Sequence, residues 1–271
     1  MSDSKIMIGK SDNLTLISGP CAIESEDLCL RVAEHMCNLT DGLPISYIFK
    51  ASFDKANRSS IESDRGIGLN KGLEILAKVK KEFNIPVLTD VHEDTPITEV
   101  ADVVDILQTP AFLCRQTNFI LKVASVMKPV NIKKGQFLSP KEMTNVVNKA
   151  KSTGNNDIYV CERGVSFGYN NLVSDMRSLV IMKKTKLPII FDATHSVQLP
   201  GGKGNSSDGQ SKFVSVLAKA AVTTAISGIF METHDDPDKA PSDGPNMVPL
   251  KKLGKLIHSI KLYDNLSKNE L

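Results

Sequence analysis

The chain has 271 residues, 41% of them hydrophobic and 24% charged, which is ordinary globular usage and long enough to bury a large core. Its formal net charge of +2 is too small to make a nucleic-acid face or a polybasic membrane anchor, so any basic site has to be local. Five cysteines without a CxxC pair argue against a disulfide framework, and neither a signal-peptide core nor a run of ~20 apolar residues is visible, so a cytoplasmic location is expected.

Short β-rich runs alternate with helix-like segments. The first run, residues 14–18, ends at Gly19-Pro20-Cys21. A Ser25 cap then precedes helical spacing over 27–39, with Leu28, Val32, Met36 and Leu39 on one face. The second run, 45–50, enters Lys50-Ala-Ser-Phe-Asp-Lys-Ala-Asn-Arg-Ser-Ser60. Three cations among small hydrogen-bonding residues after a buried strand suit a bound dianion. Arg58 offers a planar fork, and Lys50 and Lys55 offer point charges. An ordinary basic surface loop is the plainer alternative.

Residues 72–83 read as the next helix, with Leu73, Leu76, Val79 and Phe83 on one side. Further strands are expected at 86–90, 103–107, 129–133, 158–161, 188–192 and 228–232. Eight strand–helix units in a chain near ~250 residues predict one (β/α)8 barrel over 1–271. A doubly wound open sheet is the alternative, weakened by the lack of a GxGxxG after the first strand.

A barrel should carry its functional groups just after its strands. The strand ends are indeed rich in them: Asp90-Val-His92-Glu93, Lys133-Lys134, Glu162-Arg163, Asp192-Ala-Thr-His195 and Glu232-Thr-His234. Cys21, His195, Glu232 and Asp243 form a possible metal set, whose sulfur, nitrogen and oxygen donors suit a borderline divalent ion better than Mg²⁺ or Ca²⁺. Taken singly, Cys21 reads more readily as a small buried hydrophobe and His195 as a hydrogen-bonded wall residue. His234 is a further polar candidate on the Glu232 side.

Other residues invite plainer readings. Cys29, Cys37, Cys114, His35 and His258 are expected to pack or face solvent. The stretch 199–209 is too rich in Gly and Ser for regular structure and reads as a lid, and the polar tail 265–271 is expected to fray.

Several strings carry a resemblance over nearly the whole chain: Ser18-Gly-Pro-Cys-Ala-Ile-Glu-Ser25, Lys50 to Ser60, Thr89-Asp-Val-His-Glu93, Arg115-Gln-Thr117, Phe191-Asp-Ala-Thr-His195 and Asp243-Gly-Pro245. They resemble the 3-deoxy-D-manno-octulosonate 8-phosphate synthases. Lys55-Ala-Asn-Arg-Ser-Ser60 is particular to that family, whereas the Gly-Pro-Cys opening is shared with 3-deoxy-arabino-heptulosonate 7-phosphate synthases. The resemblance implies a (β/α)8 homotetramer that condenses phosphoenolpyruvate with arabinose 5-phosphate for Kdo and lipopolysaccharide biosynthesis.

It also implies site roles. Lys55, Gln108, Lys133 and Arg163 hold phosphoenolpyruvate, and Asn57, Arg58 and Ser59 hold the sugar phosphate, which Arg115 reaches from a neighbouring subunit. Lys50, Asp90 and His92 complete the expected substrate-binding set, and Lys55, Lys133 and His195 are the catalytic candidates. Cys21 places the chain in the metal-dependent branch, with Zn²⁺, Fe²⁺, Mn²⁺ or a similar ion on Cys21, His195, Glu232 and Asp243. The competing readings are a heptulosonate synthase and a noncatalytic phosphosugar sensor.

Overall fold

The computed structural model describes residues 8–58, 60–202 and 207–269. Its eight principal strands are β1 (Leu14–Gly19), β2 (Ile45–Lys50), β3 (Val87–Asp90), β4 (Ile106–Thr109), β5 (Val130–Lys133), β6 (Ile158–Glu162), β7 (Ile189–Asp192) and β8 (Gly228–His234). Each pairs in parallel with the next, and β8 pairs back onto β1 from Thr15↔Gly228 to Gly19↔Glu232. The sheet is therefore closed. A helix follows every strand: α1 (Glu26–Thr40), α2 (Leu69–Phe83), α3 (Ile97–Val103), α4 (Thr117–Ala124), α5 (Met143–Lys151), α6 (Arg177–Met182), α7 (Val214–Val222) and α8 (Leu253–Asn269). The expected (β/α)8 barrel is the fold.

The alternation of side chains along each strand explains both the core and the site. Outward residues such as Leu14, Leu16, Tyr47, Phe49, Val87, Leu107, Ile189 and Phe191 pack against the helix ring in one large cluster. Inward residues Ile17, Ile48, Leu88, Ile106, Tyr159, Ile190 and Phe230 fill the barrel below, and Ile8 joins them. Full burial of each such side chain stabilises by about 1.5–3 kcal/mol. Two residues further along, the same inward register delivers Lys50, Asp90, Gln108, Asp192 and Glu232. Period-two geometry thus stacks a polar layer on an apolar one.

Local chemistry sets the ends of the elements. Ser25 caps α1, its Oγ accepting from the Leu28 N–H at 3.1 Å. The fourth strand corrects the expectation of 103–107. Val103 closes α3 instead, and the Val104 N–H bonds back to the Val100 carbonyl at 3.0 Å. The Asp105 carboxylate then takes the Val87 N–H and the Lys80 ammonium, so pairing begins only at Ile106.

Two further expectations change. Within 199–209, Gln198–Leu199 pairs antiparallel with Asp208–Gly209 to make a short ribbon, while residues 203–206 lie outside those described. Residues 265–269 of the tail, expected to fray, are helical. α8 runs to Asn269 because Asp264, fully buried, holds Lys261 at 2.6 Å and Lys268 at 2.9 Å. Residues 270–271 lie outside the described set. No described helix is long and apolar enough to cross a membrane. All five cysteines are free thiols, and His35 and His258 are exposed.

Candidate active site

The polar layer opens into a cavity of about 620 Å³ at the C-terminal rim of the barrel. The loop after β2 lines it with Lys55, Asn57 and Arg58, and β3 and β4 contribute Asp90, His92 and Gln108. Lys133, Arg163, His195, Glu232 and Asp243 line it from β5, β6, β7, β8 and the loop beyond. Strands two and six stand opposite each other in an eight-stranded barrel, so Lys55 and Arg163 enter the lining on segments that follow opposite strands. Twelve of the residues singled out from sequence, Lys50 and those just named apart from Cys21, therefore meet in one place.

Cys21 lies beneath this lining. Its Sγ donates to Asp243 Oδ2 at 3.2 Å, and ligand atoms of Cys21, Glu232 and Asp243 all fall within 4.8 Å of one another. His195 Nε2 is 3.7 Å from Glu232 Oε2 and 3.8 Å from Asp243 Oδ2, which makes it the fourth member of the cluster. Glycine is required at residue 19, because a Cβ there would lie 2.1 Å from the Lys50 carbonyl oxygen. That close approach of β1 to β2 is what seats Cys21.

The donor set fits a divalent cation. Glu232 gives one oxygen to Lys50 at 2.6 Å, but its Oε2 is buried with no hydrogen-bond partner among the described residues. Burial, reinforced by Glu232, pushes the Cys21 thiol well above its ordinary range. A cation on this cluster satisfies the orphaned carboxylate oxygen and favours the thiolate. His195 is aimed by Asp192, whose Oδ2 lies 2.7 Å from Nδ1 and whose Oδ1 accepts the backbone N–H groups of Thr194 and His195. Burial opposes a charge on this imidazole, yet Asp192 and Glu232 overcome it and raise the pKa to about 9.

The cations differ in what they offer. Lys50 is only 1% exposed and holds Glu232 at 2.6 Å, the Cys21 carbonyl at 3.1 Å and Asp90 at 3.7 Å. It acts as counter-ion to the carboxylates on the cavity floor. Asp90 is stabilised as carboxylate in spite of burial, first by Lys50 and then by Lys55, and it accepts from Gln108 Nε2 at 2.7 Å. Lys133 pairs with Asp192 and sits 3.5 Å from the centroid of the Phe230 ring. Among the described residues Arg163 has no carboxylate partner, and its buried Nη1 has no hydrogen-bond partner. Arg58 is held open by the Asp64 carbonyl at 2.8 Å and by Ser242 at 2.9 Å.

Of the expected residues, Arg115 and His234 are not brought into the cavity. Arg115 is exposed, 3.9 Å from Glu142, and does not reach the opening of its own barrel. Ser59 lies outside the described residues. His234 is buried against Glu24 at 3.1 Å and is absent from the lining. Strand β8 continues to residue 234, but by then the chain has climbed past the cavity floor. Conversely, Gln136 and Gln198 line the cavity and were not singled out from sequence. Each lies three residues after a strand-end cluster, at Lys133 and His195, which was the available signal.

A model of the DAHP synthetase I family matches residues 1–268. The chain belongs to that family. Within it, a protein of Francisella tularensis subsp. novicida (strain U112) is 62% identical over 270 residues, covering all of this chain and 98% of the relative. A Legionella pneumophila (strain Corby) protein is 63% identical over 260 residues, 96% of this chain and 95% of the relative. Both family members are named 2-dehydro-3-deoxyphosphooctonate aldolase.

Proposed function

We propose that the chain condenses phosphoenolpyruvate with D-arabinose 5-phosphate and water, giving 3-deoxy-D-manno-octulosonate 8-phosphate and inorganic phosphate. It is a carbon–carbon bond-forming transferase of Kdo biosynthesis, a reading supported by relatives of 62–63% identity named 2-dehydro-3-deoxyphosphooctonate aldolase. The observation that carries the reading is one cavity lined by two cationic grips, Lys55, Lys133 and Arg163 for phosphoenolpyruvate and Arg58 for the sugar phosphate. A site with two such grips suits two phosphorylated anions.

The new bond joins C3 of phosphoenolpyruvate to the aldehyde carbon. Water adds at C2, the C2–O bond breaks and the bridging oxygen leaves with phosphate. Lys55, Gln108, Lys133 and Arg163 hold phosphoenolpyruvate, and Asn57, Arg58 and Ser59 hold the sugar phosphate. Their charges offset the repulsion between two anions and keep the reacting carbons in near-attack geometry, where preorganised charges act strongly. Asp192 holds Lys133 and His195 in place, and Lys50 keeps Glu232 and Asp90 ionised. Cys21, His195, Glu232 and Asp243 hold one divalent ion, Zn²⁺, Fe²⁺ or Mn²⁺, which supplies Lewis-acid polarisation when bound. The working form is a cytoplasmic homotetramer in which Arg115, 64% exposed on its own barrel, serves the sugar phosphate of a neighbour.

Incubation with both substrates, the phosphoenolpyruvate carrying ¹⁸O at its bridging oxygen, tests the reading. Labelled phosphate and the eight-carbon acid are expected. A phosphosugar sensor releases no phosphate, and label retained in the sugar acid refutes the bond assignment.

A further inference from the structure

Gln198 follows the short turn that begins at His195 and opens the ribbon of residues 198–199 and 208–209. Its side chain joins two quarters of the cavity. Oε1 accepts from Arg163 Nη2 at 2.8 Å, and Nε2 donates to Asp243 Oδ1 at 2.9 Å. A guanidinium only donates and a carboxylate only accepts, so the two partners leave the amide a single orientation.

Both partners depend on it. Arg163 is 5% exposed, and Gln198 is the one hydrogen-bond acceptor on its guanidinium among the described residues. A neutral acceptor anchors the arginine without cancelling its charge, whereas a carboxylate would hold it and neutralise it. Asp243 stands at a backbone φ of 57°, and its Oδ2 takes Cys21 at 3.2 Å and Ser242 at 3.1 Å. Its Oδ1 is held by Gln198, with Asn246 more distant at 3.4 Å.

We propose that Gln198 is a positioning residue that sets both the Arg163 guanidinium for the anionic end of phosphoenolpyruvate and the Asp243 carboxylate for the metal ion. This rests on the roles assigned above to Arg163 and Asp243. The amide is required at this point because it alone serves a cation and an anion together and remains neutral.

The test compares Gln198→Leu and Gln198→Glu with the unaltered chain. Zn²⁺ affinity is measured on chelator-stripped protein by competition with a chromophoric chelator, KM is measured for each substrate, and thermal midpoints are recorded. In Gln198→Leu, Zn²⁺ affinity should fall about tenfold or more, as for other partners of metal ligands. KM for phosphoenolpyruvate should rise by about the same factor, since a buried charge loses its anchor, while KM for arabinose 5-phosphate stays within twofold. Gln198→Glu should not rescue either constant, because the new carboxylate neutralises Arg163 and repels Asp243.

The inference is overturned if the Zn²⁺ constant or KM for phosphoenolpyruvate stays within twofold in Gln198→Leu. It is also overturned if both substrate KM values rise together with a fall in thermal midpoint, the mark of general loosening. Should the unaltered chain form no product, the functional reading fails. Calorimetric binding of Zn²⁺ and of phosphoenolpyruvate to the same three proteins then decides the role of Gln198.

Discussion

Asn57 separates two cations, Lys55 and Arg58, on the loop that covers one side of the cavity. An amide there can both donate to and accept from a sugar hydroxyl while Arg58 holds the terminal phosphate. Arabinose 5-phosphate has one more hydroxylated carbon than erythrose 4-phosphate, and a site built to bond that hydroxyl discriminates against a sugar lacking it. Asn57→Ala should therefore lower kcat/KM for arabinose 5-phosphate about tenfold, the value of one hydrogen bond left unmade, with a smaller effect on erythrose 4-phosphate. Equal or better use of erythrose 4-phosphate by the unaltered chain would transfer the activity to the heptulosonate class. Cys21 offers the complementary test. Cys21→Ala should sharply lower bound metal measured by elemental analysis, while stability changes by only about 1 kcal/mol, as for loss of one small buried group. A collapsed protein would make Cys21 a packing residue instead.

Among elements, α8 shows how a charged group can hold a helix onto a barrel. Asp264 is fully buried between Lys261 and Lys268, and removing it strands the Lys261 ammonium in the helix ring. Asp264→Ala should cost about 3 kcal/mol, the lower range for breaking a buried pair, read from the denaturant midpoint. Replacing Lys261 and Asp264 together by apolar residues should cost clearly less. This anchor also explains why the polar tail looked frayed in sequence, since a buried aspartate has no signature in hydropathy. Most strands were legible because their apolar runs begin beside proline or glycine and end in polar clusters, as at Pro86, Pro129, Pro188 and Gly228. The β4 run was misplaced because Val103 and Val104 favour a strand by type, while the closing hydrogen bond of α3 claims them. All four residues of the proposed metal set were named in the sequence, on unequal grounds. Strand ends pointed to Cys21, His195 and Glu232, but Asp243 lies in a loop whose path no periodicity encodes. Gln198 escaped notice because its role comes from two partners distant in sequence, at residues 163 and 243.

For the whole molecule, the exposed position of Arg115 separates what one barrel supplies from what an assembly supplies. Arg115→Ala should weaken arabinose 5-phosphate binding without changing phosphoenolpyruvate affinity. Mixing it with a chain disabled at Lys133 should restore some activity, because hybrids of the proposed tetramer would contain sites with both groups intact. Failure of such mixtures to regain activity after subunit exchange would place Arg115 outside the site. The seam between β1 and β8 has a consequence of another kind. Cys21 and Asp243 are 222 residues apart, and Glu232 stands beside Gly19 only through the last strand to be made. During synthesis, a chain still lacking β8 holds Cys21 and His195 of the proposed metal set but neither of its carboxylates. With the proposed metal set, loading would wait until the barrel shuts, and the ion would act as a latch set after the door has closed. At a hundredfold excess over its dissociation constant it would add about 2.7 kcal/mol to the closed state. Starvation for metal would then leave finished barrels that are silent in catalysis and easier to reopen at the seam where the ends of the sheet meet.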